Sequence, residues 1–143
     1  MTEIVQGKCL CGAVEISGVM ATPEIQACHC VQCQTWAGGS PYYVVRIADA
    51  TIKGDDNISH YHASAHGERG FCATCGTTLY WRMQGGDVSS IAAGMLAGRT
   101  GLRVTHEIFS DRRADWQPPF EGATQSTEAQ EFAKLAEYLA QNS

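Results

Sequence analysis

The sequence predicts a mainly β fold of antiparallel sheets with one α-helix at the C-terminus. Two observations carry that prediction. Short runs of period-two alternation recur between Gly, Pro, Asn and Asp turn residues, as half-buried strands do. The main helical spacing lies after residue 126, behind a capping box.

Taken in order, residues 13–17 place Val14 and Ile16 on one face and Glu15 on the other. Residues 42–47 follow Gly38, Gly39 and Pro41 and are rich in β-branched and aromatic side chains. Residues 58–62 set Ile58, His60 and His62 against Ser59 and Tyr61, and residues 77–82 set Leu79 and Trp81 against Tyr80 and Arg82. Residues 102–109 align Leu102, Val104, His106 and Ile108, which marks His106 as a hydrogen-bonded core residue. A short helix is expected to begin after Cys33 and to stop at Gly38 and Gly39. Residues 116–120, Trp-Gln-Pro-Pro-Phe, read as an irregular linker. Thr127 and Gln130 form the capping box, and Phe132, Leu135, Ala136 and Leu139 follow at helical spacing as the packing face of an amphipathic helix.

The chain has 143 residues, enough for one domain with a modest core. Ten basic against fifteen acidic side chains give a net charge of −5. With no basic run longer than Arg112-Arg113, nucleic acid and acidic membranes are poor partners. No apolar stretch reaches membrane-spanning length. The first seven residues contain Glu3 and no Lys or Arg, unlike a secretion signal. A cytoplasmic location is expected, and there a dense cysteine set indicates metal binding or catalysis rather than disulfides.

The seven cysteines fall in three groups: Cys9-x-Cys11, Cys28-x-Cys30-x-x-Cys33 and Cys72-x-x-Cys75. Four thiolates about 2.3 Å from a tetrahedral zinc must converge closely. Residues two apart in a strand share a face, so Cys9 and Cys11 can grip one ion. A turn does the same for Cys72 and Cys75, with Gly76 supplying a positive φ on exit. If these four close one zinc site, Cys28, Cys30 and Cys33 remain for a second zinc with an open position, the arrangement of a catalytic site. The spacing also permits other pairings. His29 or another histidine can close the second site, although alternation along the chain turns His29 away from its flanking cysteines. Iron is a further soft-ligand possibility, but the groups match neither ferredoxin spacing. His60, His62 and His66 read as a polar sheet face, with a proton shuttle near neutral pH as the sharper alternative.

The segments GKCLCGAVEIS, ACHCVQCQTWAGGSPYYVV and RGFCATCGTTLYW together resemble the glutathione-dependent formaldehyde-activating enzyme family, also called the centromere-protein-V-like family. The likeness runs from about residue 6 to about residue 120. It implies a β-tent fold, a structural zinc on Cys9, Cys11, Cys72 and Cys75, and a catalytic zinc on Cys28, Cys30 and Cys33, two zinc ions per chain. It also implies carbon–sulfur lyase chemistry of the S-(hydroxymethyl)glutathione synthase type, with glutathione and formaldehyde as substrates.

The expected organisation is therefore a zinc-binding formaldehyde-activating-enzyme-like domain over residues 1–122, with residues 123–143 as the amphipathic helix packed on it. Gly38, Gly39 and Ser40 could offer N–H groups to a substrate carboxylate but read first as a turn. Arg46, Arg69 and Arg82 could pair with glutathione carboxylates but read first as solvated strand residues. A zinc-stabilised protein-binding module without catalysis is the alternative function, and a small thiol such as glutathione is the expected partner.

Overall fold

Alternating apolar positions become eleven strands and two α-helices among residues 2–142, the residues described by the computed structural model; Met1 and Ser143 lie outside the described residues. The strands are β1 (Glu3–Lys8), β2 (Glu15–Met20), β3 (Glu24–Cys28), β4 (Tyr42–Arg46), β5 (Ala48–Lys53), β6 (Ile58–Tyr61), β7 (Gly67–Cys72), β8 (Thr78–Met83), β9 (Ser90–Ala92), β10 (Arg103–Ile108) and β11 (Thr124–Ser126). The helices are α1 (Val31–Trp36) and α2 (Glu128–Gln141). The chain divides into two compact units, one of Met1–Ile25 and Val44–Arg103, the other of Gln26–Tyr43 and Val104–Ser143. The mainly β expectation is met.

In the first unit, β1, β2 and β5 form an antiparallel sheet in which Gly7 faces Ile16 and Ile16 faces Ile52. Val14 and Ile16 are fully buried, as their alternation predicts, and Val5 and Met20 join them. A second antiparallel sheet runs β6-β7-β8, and β4 pairs antiparallel with β9. Leu79 and Tyr80 are both buried although they are consecutive on β8, while Trp81 is partly exposed. Strand β7 has no apolar alternation, yet Gly67, Glu68, Arg69 and Gly70 are all buried. Glu68 is tolerated there because Arg82 Nε donates to it at 2.6 Å and His62 Nε2 lies 3.0 Å away. The glycines are tolerated because the Tyr80 and Trp81 rings occupy the space that side chains would need.

The second unit differs from the antiparallel expectation in one pair. Strands β10 and β11 run parallel, with His106 opposite Thr124 and Ile108 opposite Ser126. The inward side of β10 is also not the one its hydropathy suggests: His106 is exposed and bonds to Thr105 Oγ1, whereas Glu107 is completely buried. Four residues that hydrogen-bond to Glu107 make this possible. Helix α1 starts at Val31, ahead of the expected position, because Cys30 caps it: extended at ψ 154°, Cys30 accepts the Cys33 N–H on its sulfur. Gly38 and Gly39, both at positive φ, follow its end. Residues 116–120 are irregular, as expected. Helix α2 carries the capping box between Thr127 and Gln130. Its Phe132 ring meets Phe109 edge-on at 5.7 Å, and Arg112 pairs with Glu128 at 2.7 Å. None of its residues is fully buried. Among the described residues, no helix is long and apolar enough to cross a membrane.

Candidate metal centres

The end of β1 and the end of β7 each run into a tight turn, and the two turns bring four sulfurs together. Cys9 follows β1, and the pair it makes with Cys11 lies in a turn closed by Gly12 N–H donating to Cys9 O, not in an extended strand as the sequence suggested. The turn is required because the chain reverses at once into β2, where Cys9 N–H already bonds to Val14 O. Cys72 ends β7; Gly76, at φ 76°, donates to Cys72 O and returns the chain toward β8. Its positive φ is the one expected.

The Sγ atoms of Cys9, Cys11, Cys72 and Cys75 lie within 4.8 Å of one another. Cys9 and Cys11 are 3.6 Å apart, and Cys11 and Cys72 are 3.7 Å apart. A disulfide would require about 2.05 Å, and none of the cysteines is in one. Four sulfurs around zinc would be about 3.8 Å apart, from a Zn–S distance of about 2.3 Å in a tetrahedron. The spacing therefore fits a tetrahedral thiolate site. N–H groups point at these sulfurs: Val14 N to Cys9 at 3.3 Å, Asn57 Nδ2 to Cys72 at 3.4 Å and Cys75 N to Cys72 at 3.5 Å. Such donors stabilise thiolates.

The thiols of this cluster are unequal. Hydrogen bonding from the Thr77 hydroxyl, 3.1 Å from the sulfur, is the main cause that brings Cys75 down to about 5. For Cys9, burial acts upward, but the Val14 N–H and the Cys11 and Cys72 thiols hold it below the ordinary thiol value. Although the Ala13 backbone bonds to Cys11, loss of water and the adjacent sulfurs push it up to about 11.

The second cluster lies in the other unit. Cys28 ends β3, Cys30 caps α1 and Cys33 is buried in its first turn; their sulfurs also lie within 4.8 Å of one another. Hydrogen bonding with Cys30, then with Cys33, together with burial, raises the Cys28 thiol far above its ordinary value. Adjacent buried thiols cannot all ionise without a cation. Among the described residues, no fourth Cys, His, Asp or Glu joins these three sulfurs within that distance. Cys30 is half-buried, while Cys28 and Cys33 are buried.

His29 does not join them. Its ring is 1% exposed and its Nε2 lies 2.8 Å from Glu107 Oε1. Beside α1 is a groove of about 360 Å³ lined by Val31, Gln34, Thr35, Gly38, Gly39 and Trp116. Gly39 N–H is committed to Gln34 O, in keeping with the turn reading of this stretch. Of the candidate arginines, Arg82 is engaged by Glu68, Arg69 is buried in β7 and Arg46 is exposed. His60 Nε2 lies 2.7 Å from Tyr80 Oη, a polar contact within the sheet. Glu107 escaped the sequence reading altogether, and so did Trp116 as a groove wall.

The sequence profile of the glutathione-dependent formaldehyde-activating enzyme family matches residues 4–112, a span that holds all seven cysteines. The chain belongs to that family. It is 33% identical over 112 residues to an uncharacterized lyase of Schizosaccharomyces pombe, covering 77% of this chain and 81% of the yeast protein. Its fold is similar to the crystal structure of a Rhodobacter sphaeroides protein, with a TM-score of 0.54 and 22% identity over 71% of this chain and 100% of the other. The two cysteine clusters of this chain are each able to hold a metal ion.

Proposed function

We propose that this protein is a zinc-dependent carbon–sulfur lyase acting on a thiol–aldehyde adduct, of the S-(hydroxymethyl)glutathione synthase type. In this reading Cys9, Cys11, Cys72 and Cys75 hold a structural zinc, and Cys28, Cys30 and Cys33 hold a catalytic one. The observation that carries it is the second cluster: three convergent sulfurs with no fourth ligating side chain among the described residues. Three protein ligands and one open position is the usual pattern of catalytic zinc, four that of structural zinc. When bound, zinc lowers the pKa of a coordinating thiol and acts as a Lewis acid toward a carbonyl.

The reaction forms one sulfur–carbon bond between the glutathione sulfur and formaldehyde. The carbonyl π pair moves to oxygen, and the thiol proton ends on the resulting hydroxyl. Cys28 and Cys33 close the buried side of the cluster, and half-buried Cys30 marks its accessible side. The groove between Val31 and Trp116 would lodge the rest of the thiol substrate. Its volume lies within the range of about 300–1,000 Å³ usual for small-molecule sites, and Val31 and Trp116 are 65% and 70% exposed. Family membership and the lyase relative support the reaction class, and the family's description supports glutathione and formaldehyde as the substrates.

The test is the rate of adduct formation from glutathione and formaldehyde above the spontaneous rate, with Cys30→Ser as control. A rate lost in the control supports the reading. No rate above background with any small thiol would favour the non-catalytic binding module.

A further inference from the structure

Glu107 is a carboxylate with no exposed surface, and every donor that meets it comes from a different part of its unit. On Oε1 it meets His29 Nε2 at 2.8 Å and Arg113 Nη2 at 3.2 Å. On Oε2 it accepts from Gln125 Nε2 at 2.6 Å and from the Phe120 backbone N–H at 3.0 Å. A buried carboxylate is retained only where its lone pairs are occupied and its charge is opposed. Arg113 supplies the opposing charge, so His29 is not needed for neutralisation.

His29 stands between Cys28 and Cys30, and its backbone is held as firmly as its ring. Its N–H donates to Ile108 O at 3.0 Å, and its carbonyl accepts from Gln34 Nε2 at 2.7 Å. With ring and both peptide groups fixed, the peptide from which the Cys28 and Cys30 side chains project has little freedom left. The same carboxylate holds Arg113 and Phe120, on either side of Trp116, whose indole N–H donates to Gly39 O at 3.2 Å.

We infer that Glu107 is the positioning residue of the second cysteine cluster, acting through His29 to hold its sulfurs in place before a metal arrives. The inference rests on the proposed reading that this cluster binds a metal. Groups hydrogen-bonded directly to metal ligands change metal affinity by about 10–100-fold when replaced. Glu107 acts one residue further back, through a histidine that is not itself a ligand, so the lower end of that range, about tenfold, is expected.

The experiment is cobalt titration of the full-length protein, metal-free at the start, following the cobalt absorption of each centre. In Glu107→Gln the phase that belongs to the Cys28, Cys30 and Cys33 cluster, called the second phase, should weaken about tenfold with a displaced d–d band, while the phase of the four-cysteine cluster, the first, stays at its wild-type affinity. His29→Asn should weaken the same phase, and the double variant should be no weaker than His29→Asn alone, because the two act as one unit. If Glu107→Gln does not fold, His29→Asn decides alone: a weakened second phase supports the inference, and a wild-type phase overturns it. Two wild-type phases in Glu107→Gln, or equal weakening of both phases, would also overturn it. A wild-type protein that binds a single cobalt ion would instead overturn the metal reading of the second cluster, and this inference with it.

Discussion

Replacing Cys72 with serine probes the site that ties distant segments of the first unit together. The Cys72 sulfur is fully buried, lies 3.7 Å from Cys11 and accepts N–H groups from Asn57 and Cys75. Its strand is paired on both sides, by β6 and β8, so the cluster anchors the middle of a sheet to the β1–β2 turn. A serine hydroxyl can keep the hydrogen bonds but is a poor ligand for a soft site. Structural zinc contributes about 10–16 kcal/mol in zinc-finger peptides, against total domain stabilities of about 5–15 kcal/mol. Losing even a third of that contribution costs about 3–5 kcal/mol. At about 2–4 °C per kcal/mol for a chain of this size, Tm then falls by about 6–20 °C. Complete loss leaves the chain unfolded or aggregated. Thermal unfolding, together with the metal content of the purified variant, measures this. A Cys72→Ser protein with wild-type metal content and an unchanged Tm would refute the four-cysteine assignment.

Cys30→Ser should lose about one metal ion per chain and remain folded, because its cluster joins only one short stretch of chain; metal analysis and circular dichroism check both. Glu68 should make stability depend on acid. Burial acts to raise its pKa, but hydrogen bonds from Arg82 and His62 hold it below the ordinary value. The stability it contributes is therefore present above the unfolded value of about 4.3 and is lost as pH falls through the lower folded value. The Tm difference between wild type and Glu68→Gln should be largest near neutral pH and shrink below about pH 4; a difference that does not vary with pH would contradict the pairing.

Several features were legible from residue order because their physics is local. Val14 and Ile16 bury themselves by alternation, Thr127 caps α2 through a contact three residues away, and the short cysteine spacings bring sulfurs together within one turn each. What escaped depends on partners far along the chain. Strand β7 has no hydrophobic pattern, and its burial becomes intelligible only once Arg82 and His62 are seen against Glu68. On β10, hydropathy favoured His106 as the inward residue. Glu107 took that place because His29, Arg113, Gln125 and the Phe120 N–H, from four separate positions, satisfy it. Cys9 and Cys11 share a site through a turn rather than a strand face, since the chain must reverse there. The groove wall at Trp116 lay within a stretch correctly read as irregular, where no periodicity exists to mark a function.

The central claim is that the second cysteine cluster holds a metal with a position open to a thiol substrate. Its most direct test is glutathione titration of the cobalt-substituted protein, following the sulfur-to-metal charge-transfer band, with Cys30→Ser alongside. The account predicts a saturable increase in that band in the wild type, absent in Cys30→Ser, with affinity rising with pH because thiol binding releases a proton. A wild-type protein that carries both metal ions and shows no spectral change with glutathione or any other small thiol would contradict it.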